Sequence, residues 1–376
     1  MHSVRLNYTL NHHSDKLSPA ADSMLLRHPL MDLLQAVAQQ GSISAAARAL
    51  DLSYRHVWGE LKRWEDVLGH ELIVWEKGQS ARLTEFGDKL MWAERQTQAR
   101  LAPQIEALRA DLERTFAVAF DPDAHVLTLY ASHDDALPRL REYAAEQGLH
   151  LDIRFCGSVD AIRALNEGRC TLAGFHTQSP SSKTSHTAKA YQDLLKPGLH
   201  KIIGFATRVQ GLIVAPGNPL QLHSLQDVAR TRARFVHRSL GTGTRVLLDD
   251  LLGQAQLDLH DLNALPDDEP SHTALAEAIA SGRCDVGLGI ESTARARGLG
   301  FAPLLHEHFH LVCLKSALDT PATQALRDLL QERDWCEALN ALPGYAAHSS
   351  GDVQSLSALL PWWTFKKSKK AATVAS

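Results

Sequence analysis

Cysteine is scarce in this chain of 376 residues, which holds five. Cys156, Cys170, Cys284, Cys313 and Cys336 are widely spaced and contain no C-x-x-C pair. That spacing argues against a zinc module or a disulfide framework and fits a reducing compartment. Long apolar runs are missing too: none approaches the ~20 residues needed to span a bilayer. The opening residues 1–27, beginning "MHSVRLNYTL", lack the apolar core of a secretory signal and read as a flexible leader. The expectation is a soluble, cytoplasmic protein with no membrane partner. A basic surplus is also absent, since 43 acidic residues outnumber 39 basic ones for a net charge of −4. Overall charge therefore draws no nucleic acid, and any contact with DNA has to come from a local surface. The length allows two or three domains with cores large enough to need no staples.

What is present begins with a helical pattern. Leu30, Leu33, Leu34 and Val37 recur at helical spacing, and Gly41 offers a stop. Ser42 is placed to cap the alanine-rich "ISAAARAL", and Ser53 to cap "YRHVWGELKRWEDVLG". In the second segment Val57, Trp58, Leu61, Trp64 and Leu68 share one face, so both tryptophans are expected in a core rather than on bases. Two such helices joined by the tight turn "DLS" predict a helix-turn-helix, whose second helix enters the major groove. "ELIVWEKGQSARLTEFG" then reads as strand, turn and short strand, with Thr84 starting a new helix. That arrangement is a wing.

"GSISAAARAL", the helix ending in "LG" and "ARLTEFG" resemble the winged-helix domain shared by LysR-type regulators and the molybdate-responsive ModE regulators. "SYRHVWGEL", with its Ser-Tyr-x-x-x-Trp start, is more similar to the ModE version. The resemblance implies that Ser42, Ser53, Tyr54, Arg55, His56 and Lys62 serve double-stranded DNA, with Lys77 and Arg82 on the wing near phosphates. Arg55 suits paired hydrogen bonds to a guanine edge, whereas a lysine on a phosphate carries no sequence information. For any single one of these polar side chains, a solvated helix face is the blander alternative.

From Phe86 onward, Leu90, Ala93, Thr97, Leu101, Ile105, Leu108 and Leu112 follow at steps of three and four. A seam sustained this long predicts a coiled-coil helix that needs a partner, with Pro103 kinking or restarting it. The family resemblance implies that this helix makes a homodimer or higher homo-oligomer.

After "AFDPDAH" strands and helices alternate: "VLTLYAS", "ALPRLREYAAEQG", "LDIRFCGS", "VDAIRALNEG" and "CTLAGFH". A second set follows in "GLIVAPG", "ARFVHRS", "TRVLLDDLLGQ", "HTALAEAIASG" and "CDVGLGI". Two α/β sets joined by crossing segments describe a hinged module whose ligand binds beyond the carboxyl ends of the strands. "QGLIVAPGNP", "RSLGTGTRVLLDDLL" and "SHTALAEAIASGRCDVGLGI" resemble the binding-protein-like domain sometimes fused to molybdenum-cofactor biosynthesis proteins and ModE-like regulators. The expected fold is an α+β winged helix-turn-helix domain (28–88), a linker helix (89–118) and a two-lobed α/β periplasmic-binding-protein-like domain of type II (124–340). A C-terminal segment with a basic tail (341–376) completes the chain. Its Trp362, Trp363 and Phe365 read as a docked aromatic anchor before a frayed end.

Three strand-to-helix turns are expected to meet at the cleft. They supply Ser132 and His133, then Gly157 and Ser158, then Arg238, Ser239, Gly241, Thr242, Gly243, Thr244 and Arg245. Backbone N–H groups at helix starts carry about half a positive charge and suit an oxyanion. An ordinary capping loop is the alternative for the Gly-Thr-Gly-Thr turn, and a local salt bridge for Arg245. The turn does not match a P-loop. Asp134 and Asp135 count against a bare dianion; Asp135 is expected to cap the helix starting near Ala136, and Asp134 needs a proton or amine if it faces the ligand.

"HEHFH" (His306–His310) lacks the helical i, i+4 pair of a zinc site and reads as a strand with alternate histidines on one face, so no metal is expected. No G-x-S-x-G elbow accompanies Ser132 and His133, and no cofactor or enzyme activity is implied. Residues 176–189 read as a loop between the lobes by composition. The leading expectation is a dimeric DNA-binding regulator sensing a small anion, molybdate or tungstate first. The alternatives are a LysR-type sensor of a small organic acid, and a molybdenum-cofactor-related binding protein that uses the winged helix only to dimerise.

Overall fold

The computed structural model describes residues 28–75, 80–120, 125–178 and 182–363, in two compact units that divide between Ile105 and Glu106. In the first unit α1 (Pro29–Gln40), α2 (Ile43–Ala49) and α3 (Tyr54–Leu68) precede β1 (Ile73–Val74), which pairs antiparallel with β2 (Arg82–Leu83). Gly41 ends α1 in the left-handed conformation, where a side chain would be strained. Ser42 and Ser53 cap α2 and α3 by accepting from the N–H groups of Ala45 and His56. Leu30, Leu34, Val37, Ile43, Ala46, Val57 and Leu61 fill the core. Small alanines on α2 let the helices approach. Trp58 and Trp64 pack against this core but are only half-buried.

One residue there defies the polarity pattern. Glu65 is buried on α3 and its carboxylate accepts from the N–H groups of Leu72 and Ile73, fixing the entry to β1, while Lys62 pairs with its other oxygen. An acidic residue in a helix reads as solvated face, so the sequence hid this role.

The helix α4 (Glu85–Phe120) continues through Pro103 without the restart, one of the two outcomes expected there. A proline in a helix interior costs about 3 kcal/mol, and α4 continues on both sides of it. Thr84 caps it through Gly87 N–H. Leu108, Leu112 and Phe116 stay exposed along its later turns.

The second unit is a single ten-stranded sheet with two lobes. The first lobe holds β3 (His125–Ala131), α5 (Ala136–Glu146), β4 (Leu149–Phe155), α6 (Ser158–Asn166), β5 (Leu172–Gln178) and α7 (His186–Tyr191). A long strand, β6 (His200–Val214), crosses to the second lobe. There α8 (Leu225–Thr231), β7 (Arg234–Arg238), α9 (Gly243–Gln254), β8 (Asn263–Glu269), α10 (His272–Ala280), β9 (Val286–Ile290) and α11 (Glu291–Ala296) follow. A second long strand, β10 (Gly300–Leu314), returns antiparallel to β6. Within each lobe the strands pair in parallel (β4-β3-β5 and β9-β7-β8), and the antiparallel crossing pair joins them. This is the hinged α/β architecture that the alternating pattern predicts.

Three features depart from expectation. Strand β8, "NALPDDE", is absent from the expected pattern; it carries Pro266, which an edge strand tolerates, and β8 lies at the sheet's edge. Residues 176–178 belong to β5 and 186–191 form α7, so both ends of the expected loop between lobes are regular structure, and 179–181 lie outside the described residues. The stretch after 340 is not a separate segment: α12 (Pro321–Gln331) and α13 (Arg333–Asn340) lead to β11 (Tyr345–Ala346) and β12 (Val353–Ser355), both paired with β6, and then to α14 (Leu356–Leu359). Trp362 is fully buried beside Tyr191, while Phe365 and the basic end lie outside the described residues. "HEHFH" lies within β10, and His308 and His310 stack on one face.

Candidate functional site

The lobes face each other across the carboxyl ends of β3, β4, β5 and β7. Backbone comes closest where α6 and α9 begin. Val159 N–H donates to Gly241 O across the cleft at 3.4 Å, and a Cβ on Gly157 would lie 2.7 Å from that carbonyl oxygen. Glycine at 157 is therefore a packing requirement. Gly241, with φ +80, takes the left-handed conformation that turns the loop toward it.

The crossing strands form the floor. Arg208 on β6 is fully buried; it donates to Glu307 of β10 at 2.5 Å and to the Asp134 carboxylate. Tyr345 O–H donates to the same Asp134 oxygen, and Gln210 bridges Glu307 and Thr244. Burial pushes the Asp134 carboxyl up, against the opposing pull of Arg208. The capping roles are the reverse of the expected ones: Asp134, not Asp135, accepts the Ala136 N–H, while Asp135 accepts from Ser292 and Thr293 of α11. Asp135 thus ties the first lobe to the second.

Of the residues expected at the cleft, Ser132, His133, Ser158, Arg238, Thr242, Gly243 and Thr244 are buried there. The Ser132 and Ser158 hydroxyls lie 3.1 Å apart, joining two turns of the first lobe. Arg238 donates through Nε and Nη2 to the carbonyls of Glu269 and Pro270, and its buried Nη1 has no partner. No carboxylate pairs with it; burial pulls it down to about 9, so it stays a cation at neutral pH. Other placements differ from the expectation. Ser239 O–H turns to Asp268, and Arg245 turns to His237 and Asp249, the local pairing named as its alternative. Thr242 spends its oxygen capping α9 and its proton on Ser239 O.

Sequence reasoning missed His176 at the end of β5 and His272 at the start of α10. Both are buried; His176 has both ring nitrogens without a partner, and His272 has Nδ1 without one. Burial keeps both rings well below their usual pKa, with Arg208 and Arg238 adding to the effect. Burial likewise holds His133 down to about 4. The signal was available for His176, since it ends a strand whose carboxyl end faces the cleft. Asp250 was also missed. From α9 its carboxylate accepts from Gln178 and from the N–H groups of His186 and Thr187, and the Thr187 hydroxyl, binding the second lobe to the first.

On the helix-turn-helix, Tyr54, Arg55, His56 and Arg82 are exposed, whereas Lys62 is held by Glu65 over the Trp58 ring and Ser42 and Ser53 act as caps. Lys77 lies outside the described residues. Among the described residues, no helix is long and apolar enough to cross a membrane, and no cluster of three or more His, Cys, Asp or Glu could hold a metal ion.

Comparison with known proteins places two families on the chain. A PBP superfamily domain matches residues 140–331, just over half of the chain, and a bacterial regulatory helix-turn-helix protein domain of the lysR family matches residues 29–88. The uncharacterized protein YvgK of Bacillus subtilis is 26% identical over 258 residues, covering 68% of this chain and 82% of its own length. Among solved structures, full-length LysG from Corynebacterium glutamicum with bound effector Arg aligns with TM-score 0.38 and 18% identity, over 81% of this chain and 96% of that one. Full-length CbnR complexed with its target DNA aligns with TM-score 0.40 and 15% identity, over 81% and 100%. The chain belongs to the PBP superfamily and carries, ahead of that domain, a bacterial regulatory helix-turn-helix of the lysR family.

Proposed function

We propose that this protein is a dimeric, DNA-binding transcription regulator whose two-lobed domain senses a small anion, with molybdate or tungstate the first choice. The observation that carries the anion reading is Arg238, a buried cation with no carboxylate partner and an unpartnered Nη1. A fully buried charge is costly unless something pairs with it, and a bound anion does so. Ser132 and Ser158, whose hydroxyls bond each other, and the helix starts at Ser158 and Gly243 are further donors expected at the cleft. The choice of molybdate rests on the Ser-Tyr-x-x-x-Trp resemblance to ModE regulators. The exposed Leu108, Leu112 and Phe116 support pairing of two copies along α4. Ligand alters DNA binding only as far as it prefers one lobe arrangement over another.

Titration calorimetry of the full-length protein with molybdate, tungstate, sulfate, phosphate and formate tests this. Tight molybdate or tungstate binding with sulfate ignored supports the oxyanion sensor; silence from all five overturns it. A small organic acid is the second reading, favoured by the orphaned Gln210 Oε1, an acceptor that suits a ligand carrying its own donor. The reading is of a sensor rather than an enzyme.

A further inference from the structure

The charges buried around the cleft do not sum to a site for a bare dianion. Arg208 alone faces two carboxyl groups, Glu307 and Asp134, while Arg283 is matched by Glu269 and Arg297 by Glu277. Arg238 makes no ion pair within hydrogen-bond reach, and the Asp135 and Asp250 carboxylates are held by hydroxyl, amide and backbone donors and by no cation; Asp135 is the foremost charge favouring the Arg238 guanidinium. One more positive charge is needed when a dianion arrives. His133 stands in the same turn as Asp135, buried, with its ring tilted against Phe155 at 4.9 Å and a buried Nδ1 that has no partner.

Resting on the anion-sensor reading, we infer that His133 takes up one proton when the anion binds, so that ligand and proton enter the cleft together. The groups acting on the ring come from every side. Asp135 of its own turn favours the imidazolium. Arg238 of β7, Arg297 beyond α11 and Arg208 of β6 disfavour it, and a charge on the ring would in turn oppose one on His272 of α10. Asp134 is already committed to Arg208, Tyr345 and Ala136 N–H. An anion on Arg238 cancels the strongest opposing cation and adds its own attraction. The uptake balances simply: a solvent proton moves onto the free ring nitrogen, and the bound state gains one positive charge against the ligand's two negative ones. His176 and His272 have no carboxylate favouring their charged form, so they stay neutral and offer hydrogen bonds.

Titration calorimetry of the full-length protein with molybdate and sulfate, between pH 5.5 and 8 in buffers of different ionisation heat, reads this directly. The expected result is uptake approaching one proton per anion. Affinity weakens by up to tenfold per pH unit as pH rises toward the bound-state pKa of His133, and levels off above it. His133→Gln keeps a neutral donor and acceptor but cannot carry the charge, so its affinity profile should be flat and its proton uptake nil. A merely structural role would weaken binding equally at every pH and leave the slope. Should that variant fail to fold, Asp135→Asn retains an acceptor for Ser292 and Thr293 and should reduce the uptake. Anion binding with no proton uptake in the unaltered protein overturns this inference alone. Absence of anion binding at every pH overturns the sensor reading and this inference with it.

Discussion

Replacing Asp250 by alanine should destabilise the two-lobed module more than any surface change. Its two oxygens accept four hydrogen bonds, two from backbone N–H groups at the start of α7, one from the Thr187 hydroxyl and one from the Gln178 amide. The hydroxyl and the amide can turn elsewhere, but the N–H groups of His186 and Thr187 are fixed by the helix start. Leaving a buried donor unsatisfied costs about 1–3 kcal/mol, and bonds to a charged acceptor are individually worth about 1.5–3 kcal/mol. A loss of about 4 kcal/mol is therefore expected. At roughly 2–4 °C per kcal/mol for a module of this size, the Tm falls by about 10 °C. Asp250→Asn retains one acceptor oxygen, so an NH2 group must face at least one donor, and its loss should be smaller but clear. Differential scanning calorimetry of the full chain reads both. A fall of less than about 2 °C for Asp250→Ala would refute the claim that this carboxylate ties the lobes.

Other outcomes follow from the same reasoning. Arg238→Gln removes the unmatched cation and should weaken anion binding at least tenfold, about 1.4 kcal/mol, by calorimetry; unchanged affinity would move the site elsewhere. Arg55→Ala should relax the sequence preference of DNA binding, read by competition between operator and unrelated duplexes, and an unaltered preference would mean that the exposed start of α3 does not read bases. Acid should destabilise the module before its carboxylates titrate. His133, His176, His272 and His310 are buried with pKa values pushed below the usual 6.5, His133 to about 4 and His310 to about 3. Below pH 6.5 the unfolded chain binds protons that the folded one refuses, so stability falls as pH drops. The slope is about 1.4 kcal/mol per pH unit for each group. A urea midpoint unchanged between pH 7.5 and 5.5 would contradict this.

Elements whose signals are local are legible in the chain without its fold. The caps Ser42 and Ser53, the stop at Gly41 and the apolar face of α3 specify a helix-turn-helix, because capping and amphipathicity act within a few residues. The alternation of strands and helices likewise specified the two lobes, and the strand-to-helix turns marked Ser132, Ser158 and Thr244 for the cleft. Tertiary structure alone decided what those turns meet. Arg208 and Glu307 are distant in sequence and read as ordinary polar strand residues until β6 and β10 run side by side. Whether Asp134 or Asp135 capped α5 depended on α11 presenting Ser292 and Thr293, and whether Asp250 was surface or clasp depended on where α7 begins. The physical reason is common to all three. A carboxylate's role is set by which donors and cations packing brings within hydrogen-bond reach, and spacing along the chain carries no record of partners tens or hundreds of residues away.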